Sequence, residues 1–146
     1  LGGVDLCTKM LSHARRTSAY DDLSEMELVQ FLELHPQQFD LITIIDTFIY
    51  FGELISPMSA AARALKPAGH LFFTVELAAE SSEKRPAGFA LDTTGRFVHS
   101  QAYINHSLID AGFVEIETSI IELRKERGEP VIGLLVSAKI ANAMVL

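Results

Sequence analysis

The sequence predicts an α/β domain built on a mostly parallel sheet, and three stretches of the chain indicate it. Residues Leu41–Ile45 are mostly apolar and β-branched, as in a strand that is buried on both faces of a parallel sheet. Near the start, an apolar stretch ends in an acid, Asp5, and a helical pattern follows it. Near the end, Phe113–Leu123 and Val131–Ile140 are strand-like runs joined by a polar turn, which predicts an antiparallel hairpin.

Composition bounds the class of protein. The chain has 146 residues, of which 49% are hydrophobic and 21% charged, which is typical of one globular domain. Its net charge of -7 argues against nucleic-acid binding, and we interpret the short basic clusters at Arg15–Arg16 and Arg124–Arg127 as solvated. The single cysteine, Cys7, cannot form an internal disulfide, which favours a reducing compartment such as the cytoplasm.

Two further expectations concern the ends of the chain and membranes. No apolar run approaches the roughly 20 residues that a membrane-spanning helix needs, so we expect no membrane segment. The chain begins at Leu1 without an initiator methionine, and its first residues already resemble the middle of a strand. We therefore expect it to be part of a longer polypeptide.

The first elements in chain order are a strand at Leu1–Leu6 and a helix at Cys7–Arg16. Asp5, between them, has two interpretations. In nucleotide-binding α/β folds an acid at the end of the second strand accepts hydrogen bonds from ribose hydroxyls. An acid before a helix can equally cap the free backbone N–H groups of that helix. This stretch alone leaves both interpretations open.

A very short strand is predicted at Ser18–Leu23, and a helix at Ser24–Leu34. Asp22 at the end of that strand could accept a hydrogen bond from an adenine amino group, or it could simply cap the next helix. After the central strand, polar and aromatic groups gather at Asp46 and Tyr50. Ligands of open α/β sheets bind outside the carboxyl ends of the strands, so this edge is the predicted site.

The next elements are predicted to be a helix at Ser56–Leu65 and a strand at His70–Leu77. A loop at Ala78–Arg96, with a short hairpin within Phe89–Phe97, and a helix at Ser100–Ala111 follow. Glu76, near the end of the second buried strand, is either a solvated residue or a substrate contact. His99, just before the last helix, is either a cap or surface residue or a candidate general base.

Several phrases, in order, give the chain a resemblance to a known family. Its phrases Gly3-Val-Asp-Leu-Cys-Thr-Lys-Met-Leu-Ser-His-Ala-Arg15, Phe39-Asp-Leu-Ile, Ala64-Leu-Lys-Pro-Ala-Gly-His-Leu71 and Leu108-Ile-Asp-Ala-Gly-Phe113 resemble those of class I S-adenosylmethionine-dependent methyltransferases. It looks most like the methyltransferase domains attached to tetratricopeptide repeats, because of Tyr20-Asp-Asp-Leu, Asp46-Thr-Phe-Ile-Tyr-Phe-Gly-Glu-Leu and Arg96-Phe-Val-His-Ser-Gln-Ala-Tyr103. The resemblance covers nearly the whole chain.

The resemblance implies a Rossmann-like sheet with a closing antiparallel hairpin, in which the first strand lies between the second and the fourth. That first strand and its helix, with the Gly-rich loop that cradles the methionine part of the cofactor, have no counterpart here, since none of the nine glycines stands in such a phrase. We expect either an upstream segment or pairing of the exposed strand edges with a second copy in a homodimer.

The resemblance also implies roles for individual residues. Asp5 would hold the ribose of S-adenosyl-L-methionine, and Asp46 would lie beside its methionine part and the substrate. The other implied cofactor contacts are Leu6 and Met10 near the adenine, with Asp22 and Leu23 at the adenine edge; Met10 could instead be a core residue. Tyr50 would lie near the transferring methyl, and Tyr50, His99 or Glu76 could act as a base for a hydroxyl or amine acceptor.

The predicted function is methyl transfer from S-adenosyl-L-methionine to a small molecule or an acyl carrier, with no metal, nucleic acid or membrane involved. Two alternatives remain. One is a non-catalytic interaction module that keeps the fold but does not hold the cofactor. The other is a nicotinamide-dependent oxidoreductase, which the closing hairpin and the lack of a Tyr-x-x-x-Lys pair disfavour.

Overall fold

The computed structural model describes residues 1–78 and 87–142. The strands are β1 (Gly2–Asp5), β2 (Asp22–Glu25), β3 (Phe39–Ile44), β4 (Leu65–Leu77), β5 (Phe89–Leu91), β6 (Phe97–His99), β7 (Phe113–Glu126) and β8 (Glu129–Ile140). The helices are α1 (Thr8–Arg16), α2 (Leu28–Glu33), α3 (Ile55–Ala64) and α4 (Gln101–Asp110), and a short 3-10 helix spans Phe48–Tyr50.

The strands form two sheets. β1 and β2 make a small parallel pair, and the other six strands make a mixed sheet in the order β5-β6-β4-β8-β7, with β3 parallel to β4. In the described part of the chain, β1 has no partner on its second edge, and neither has β3. The α/β class and the antiparallel β7–β8 hairpin are as predicted, and the break between β1 and β3 lies where the resemblance places a first strand.

The core lies on one face of the larger sheet. β3, β4 and β8 present alternate apolar side chains to it, because successive side chains of a strand point to opposite faces. The alanines of α3 let that helix approach this face closely, and α4 packs beside it. The buried residues of this core include Ile42, Ile44, Leu71, Phe73, Val75, Leu134, Val136, Met58, Ala61, Ile104 and Leu108. On the opposite face, Leu41 is 53% exposed and Phe72 is 36% exposed.

Some predicted bounds were wrong by a few residues. The second strand was expected to end at Leu23, but β2 continues to Glu25 and α2 begins only at Leu28. Polar residues can continue this strand because its two-stranded sheet remains largely open to solvent. The predicted polar turn at the end of β7 is also shorter than expected: both strands extend into it, and Arg127 and Gly128, with φ of 50° and 87°, make a tight turn of the kind that favours positive φ.

The predicted loop Ala78–Arg96 can be assessed only in part, because residues 79–86 lie outside the described residues. Within the rest, β5 and β6 pair antiparallel, which confirms the short hairpin. β6 then runs parallel to the end of β4, where Glu76 faces Val98 across the ladder. Within residues 1–78 and 87–142, no helix is long and apolar enough to cross a membrane.

Candidate functional site

A cavity of about 990 Å³ lies between the two sheets. Its walls are β1 with the following loop on one side, and β3 with its exit segment on the other. The residues that follow each strand, Leu6 after β1 and Asp46 near the end of β3, also line the cavity, so the carboxyl ends of both strands reach it. Five of the residues singled out from the sequence line it together: Asp5, Leu6, Met10, Asp46 and Tyr50.

Asp5 ends β1 and holds the loop that leads to α1. Its Oδ1 accepts a hydrogen bond from the backbone N–H of Cys7 at 2.7 Å. Cys7 is itself the capping residue of α1, so Asp5 supports the turn before the helix and does not cap the helix directly. Its Oδ2 has no hydrogen-bond partner among the described residues, which leaves one carboxylate oxygen at the cavity wall. Asp5 can therefore hold the turn and still accept a ligand hydroxyl.

Leu6 and Met10 form an apolar part of the same wall. They are 68% and 57% exposed, although both are large hydrophobic residues. The interpretation of Met10 as a core residue is therefore wrong, since the core of α1 is represented by Leu11, which is 2% exposed. Exposed apolar side chains that line a cavity are typical of ligand sites, where apolar walls surround a few polar groups.

Asp22 and Leu23 are not at the carboxyl edge. The register of the parallel pair sets Asp22 opposite Gly2 and Leu23 opposite Gly3, at the amino end of β1, whereas Asp5 faces Glu25. The predicted strand ended at Leu23, two residues before β2 ends at Glu25, so the prediction placed the carboxyl edge too early. The residues that follow β2 do reach the cavity, among them Glu27. One carboxylate oxygen of Glu27 accepts the N–H of Gln30 at 3.0 Å and caps α2.

Asp46 is the second residue after β3 and has an unusual backbone. Its φ of 52° lies in the left-handed region, which Asp tolerates better than most residues. Its N–H donates to Thr74 Oγ1 at 3.0 Å, and Thr74 is 4% exposed in the neighbouring strand β4. The chain then turns into the 3-10 helix, where Phe48 is fully buried and Tyr50 is 69% exposed at the cavity. The buried Phe48 thus anchors the segment that presents Tyr50.

Glu76 does not line the cavity but lies behind Asp46 in an ion-pair network. Glu76 is 6% exposed and pairs with Arg124. The Arg124 guanidinium also donates to Asp46 Oδ1 at 3.2 Å and to Glu126 Oε1 at 2.8 Å. Arg96 contacts Glu126 and lies 3.9 Å from Glu76. Glu76 is therefore neither solvated nor positioned to contact a substrate, and the interpretation of Arg124 as a solvated residue is wrong.

The network favours the charged forms of Arg124 and Glu126. Burial disfavours the charge of Arg124, but its hydrogen bonds to Glu126 and Glu76, with the charge of Asp46, outweigh burial and raise its pKa. The hydrogen bond from Arg124 lowers the pKa of Glu126, although partial burial opposes it. Three carboxylates thus share two guanidinium groups at the carboxyl ends of β3, β4 and β7.

His99 is fully buried and does not reach the cavity. Its Nε2 lies 3.0 Å from the carbonyl oxygen of Gly52, which requires the proton on that nitrogen. Burial lowers the pKa of His99, with smaller opposing effects of the backbone at Gly52 and Phe51. The cap of α4 is Ser100, so His99 is neither that cap nor a surface residue. In this arrangement it supports the Gly52 turn and is not placed to accept a substrate proton.

Metal chemistry has no candidate site in the parts of the chain that the structure describes. No group of three or more His, Cys, Asp or Glu side chains comes together there in a way that could hold a metal ion. The polar side chains that line the cavity include carboxylates and several hydroxyl groups, among them that of Tyr50, which suit hydrogen bonds to an organic ligand.

Comparison with known families agrees with the fold. A family model described as a methyltransferase domain matches residues 1–73, which is half of the chain. The chain therefore belongs to this family of methyltransferase domains. The matched residues include β1, the acid that ends it, and β3 with the following segment. A search of curated proteins finds no match.

Solved structures show the same class of fold. The chain is similar to an S-adenosylmethionine-dependent methyltransferase from Methanosarcina mazei, with a TM-score of 0.71, 17% identity, and coverage of 97% of this chain and 82% of that chain. A methyltransferase dependent on S-adenosylmethionine from Mesorhizobium loti matches with a TM-score of 0.65 and 25% identity, covering 94% of this chain and 79% of that one.

A third match is the N-methyltransferase NodS from Bradyrhizobium japonicum in complex with S-adenosyl-L-homocysteine, with a TM-score of 0.65 and 18% identity. The match covers 96% of this chain and 66% of NodS. This chain spans between 53% and 82% of the length of these similar structures. It therefore corresponds to only about half of one of them, a protein from Bordetella parapertussis. The fold is a Rossmann-like methyltransferase fold.

Proposed function

We propose that this chain is part of a methyltransferase that binds S-adenosyl-L-methionine in the cavity between β1 and β3 and methylates a small molecule or an acyl carrier. The observation that carries the proposal is the convergence of Asp5 and Asp46 on one cavity. These two acids stand at the ends of different strands, and each has one carboxylate oxygen without a hydrogen-bond partner among the described residues. The volume of about 990 Å³ is at the upper end of the range of ordinary small-ligand sites.

The residues present fit the adenosyl half of this cofactor. Asp5 offers one carboxylate oxygen to a ribose hydroxyl, and Leu6 and Met10 offer apolar surface to a flat ring. Glu27, at the edge where Asp22 and Leu23 were expected, uses one oxygen for its helix cap and has a second one available for an amino group. When bound, the cofactor would supply an electrophilic methyl group on a sulfonium.

The rest of the chemistry depends on position. Methyl transfer is an in-line displacement, so the residues around the acceptor contribute mainly by holding it at the correct distance. Asp46 and Tyr50 stand at the end of the cavity where this acceptor would approach. Of the three candidate bases, only Tyr50 lines the cavity, because Glu76 is paired with Arg124 behind Asp46 and His99 is buried. A carboxylate acceptor needs no base, whereas a hydroxyl acceptor could use Tyr50.

The test is calorimetric titration of S-adenosyl-L-homocysteine into this chain and into a longer form that adds the residues expected before Leu1. We expect weak binding by the chain and tighter binding by the longer form, because no Gly-rich phrase in this sequence can cradle the methionine part. Asp5→Asn keeps an oxygen for Cys7 but loses the charge, and should weaken binding about 10- to 100-fold.

Asp40→Asn is the matched control. Asp40 lies on β3 and pairs with Lys66 at 2.8 Å, outside the cavity. Its substitution should leave the affinity unchanged. If neither form of the protein binds S-adenosyl-L-homocysteine, the methyltransferase proposal fails.

A second candidate is the non-catalytic interaction module. The observation that favours it is the length of the cavity, which runs along β1 and β3 from Gly2 and Phe39 to their carboxyl ends and is lined by unpaired strand edges. Unpaired edges can accept another strand, from a second copy or from another protein. Attachment to tetratricopeptide repeats would support such a role, and this attachment is proposed from sequence phrases alone.

A further inference from the structure

We infer that Arg124, on the β7–β8 hairpin, is a positioning residue that fixes the Asp46 carboxylate at the rim of the cavity. The inference rests on the proposed function, because Asp46 is one of the two acids assigned to the ligand. Arg124 lies more than seventy positions further along the chain, and the two side chains meet because β7 belongs to the same sheet as β3.

The first step of the argument is the register of the hairpin. The β7–β8 ladder shifts between Glu122 and Arg124, so that Leu123 is an extra residue in β7. Without this bulge, Leu123 and not Arg124 would face Val131. Because successive side chains of a strand alternate between faces, the bulge moves Arg124 onto the face that Glu76 occupies. Bulges next to functional sites commonly redirect a side chain in this way.

The second step is the way in which the guanidinium is used. Arg124 donates through Nη2 to Glu76, through Nη1 to Asp46 and through Nε to Glu126. Its side chain is 22% exposed, whereas that of Asp46 is 49% exposed. A planar group with several fixed donors can hold three carboxylates at once, which a lysine ammonium at the end of a flexible chain does less well. The mostly buried Arg124 side chain therefore restrains the more exposed Asp46 side chain.

The third step concerns Asp46 itself. Its left-handed backbone is held by Thr74 from β4, and its side chain is held by Arg124 from β7. Only one carboxylate oxygen, Oδ1, contacts Arg124, so Oδ2 is available at the cavity. A strained residue that neighbouring strands hold from both sides is typical of a functional position. Without Arg124, the half-exposed carboxylate would be free to leave the cavity rim.

The test is a double-mutant cycle on S-adenosyl-L-homocysteine binding with Arg124→Gln, Asp46→Asn and the double variant. If Arg124 acts through Asp46, Arg124→Gln should weaken binding about tenfold in the native background but less than twofold in the Asp46→Asn background, because contacting groups are energetically coupled. A purely structural role would give the same loss in both backgrounds, and that result would overturn the inference.

Two further variants separate positioning from stability. Arg124→Lys keeps a charge beside Glu76 but does not span from Glu76 to Asp46, so it should retain most of the stability and still lose the affinity. Arg96→Gln removes the other guanidinium of the network, which has no contact with Asp46 among the described residues, and should show no coupling to it. Affinity that follows thermal stability across all these variants contradicts the inference.

One measurement tests the inference without a ligand. It remains possible even if no form of the protein binds S-adenosyl-L-homocysteine, a result that would refute the proposed function but not the role of Arg124. Amide hydrogen exchange at Asp46 reports the bond between its N–H and Thr74. We expect Arg124→Gln to speed this exchange at least severalfold, while Arg96→Gln leaves it unchanged. Equal exchange in the native protein and in Arg124→Gln would show that Arg124 does not hold this turn.

Discussion

Replacing Tyr103 by phenylalanine removes one oxygen atom from the support of the site. The Tyr103 hydroxyl, on α4, accepts the backbone N–H of Leu54 at 2.9 Å. Leu54 is fully buried and is the N-cap residue of α3, a few residues after the segment that carries Asp46 and Tyr50. The hydroxyl therefore satisfies a backbone donor that has no access to water, and ties the start of α3 to α4.

The magnitude follows from the chemistry of this one bond. Phenylalanine has the same shape, so no cavity forms and only the hydrogen bond is lost. Leaving a buried backbone donor without a partner costs about 1–3 kcal/mol. For a chain of this size each kcal/mol lowers Tm by about 2–4 °C. We expect Tyr103→Phe to lower the free energy of unfolding by about 2 kcal/mol and Tm by about 4–8 °C.

Urea denaturation followed by circular dichroism measures the free energy, and a thermal scan measures Tm. Tyr20→Phe is the control, because Tyr20 is 40% exposed and its hydroxyl has no hydrogen-bond partner in the described part of the chain. This control should change the free energy by less than about 0.5 kcal/mol. If Tyr103→Phe loses no more than the control, the Leu54 N–H does not depend on this hydroxyl and the reasoning is refuted.

Three other predictions concern the same structure. Burial lowers the pKa of His99 below its ordinary value of 6.5, so the unfolded chain binds the proton more readily and the free energy of unfolding should fall as the pH drops below about 6.5. A series of urea melts at different pH values measures this fall, which should be shallower in His99→Gln. Phe48→Ala should cost about 3–5 kcal/mol in urea melts, because this fully buried ring packs at 5.2 Å from Phe73; a loss below 1 kcal/mol would contradict it. Gly133→Ala should lower the free energy of unfolding by about 1–3 kcal/mol, and with it Tm, because the new Cβ would overlap the Val75 carbonyl oxygen and push β8 away from β4. An unchanged Tm would contradict this.

The fold could be predicted from local patterns because its central strands are strongly apolar. The run Leu41–Ile45 and the two long strands of the closing hairpin are each unambiguous in sequence, and each forms the predicted element. Asp5 and Asp46, which both line the cavity, could be singled out because each acid stands at or just beyond the end of an apolar strand. An acid next to a strand end can be recognised from a few neighbouring residues, so this prediction tolerates small errors in the strand bounds.

The missed residues depend on register, which the sequence does not state. Asp22 was wrongly placed at the carboxyl edge because β2 is short and polar, and nothing local marks where it ends. Arg124 was missed because one extra residue, Leu123, reverses the face on which it lies. His99 was misjudged because a polar residue at a helix start usually faces solvent, whereas here the Gly52 carbonyl, distant in sequence, receives its N–H.

The break between the two sheets affects what a ligand would do to the protein. In the described part of the chain, no strand hydrogen bonds cross from the β1–β2 pair to β3, so the width of the gap is not fixed by a backbone ladder. A molecule that contacts Asp5 on one side and Asp46 on the other would hold the β1–β2 pair against the larger sheet. Part of its interaction energy would be offset by the lost conformational entropy of the β1–β2 pair, and the remainder would appear as affinity.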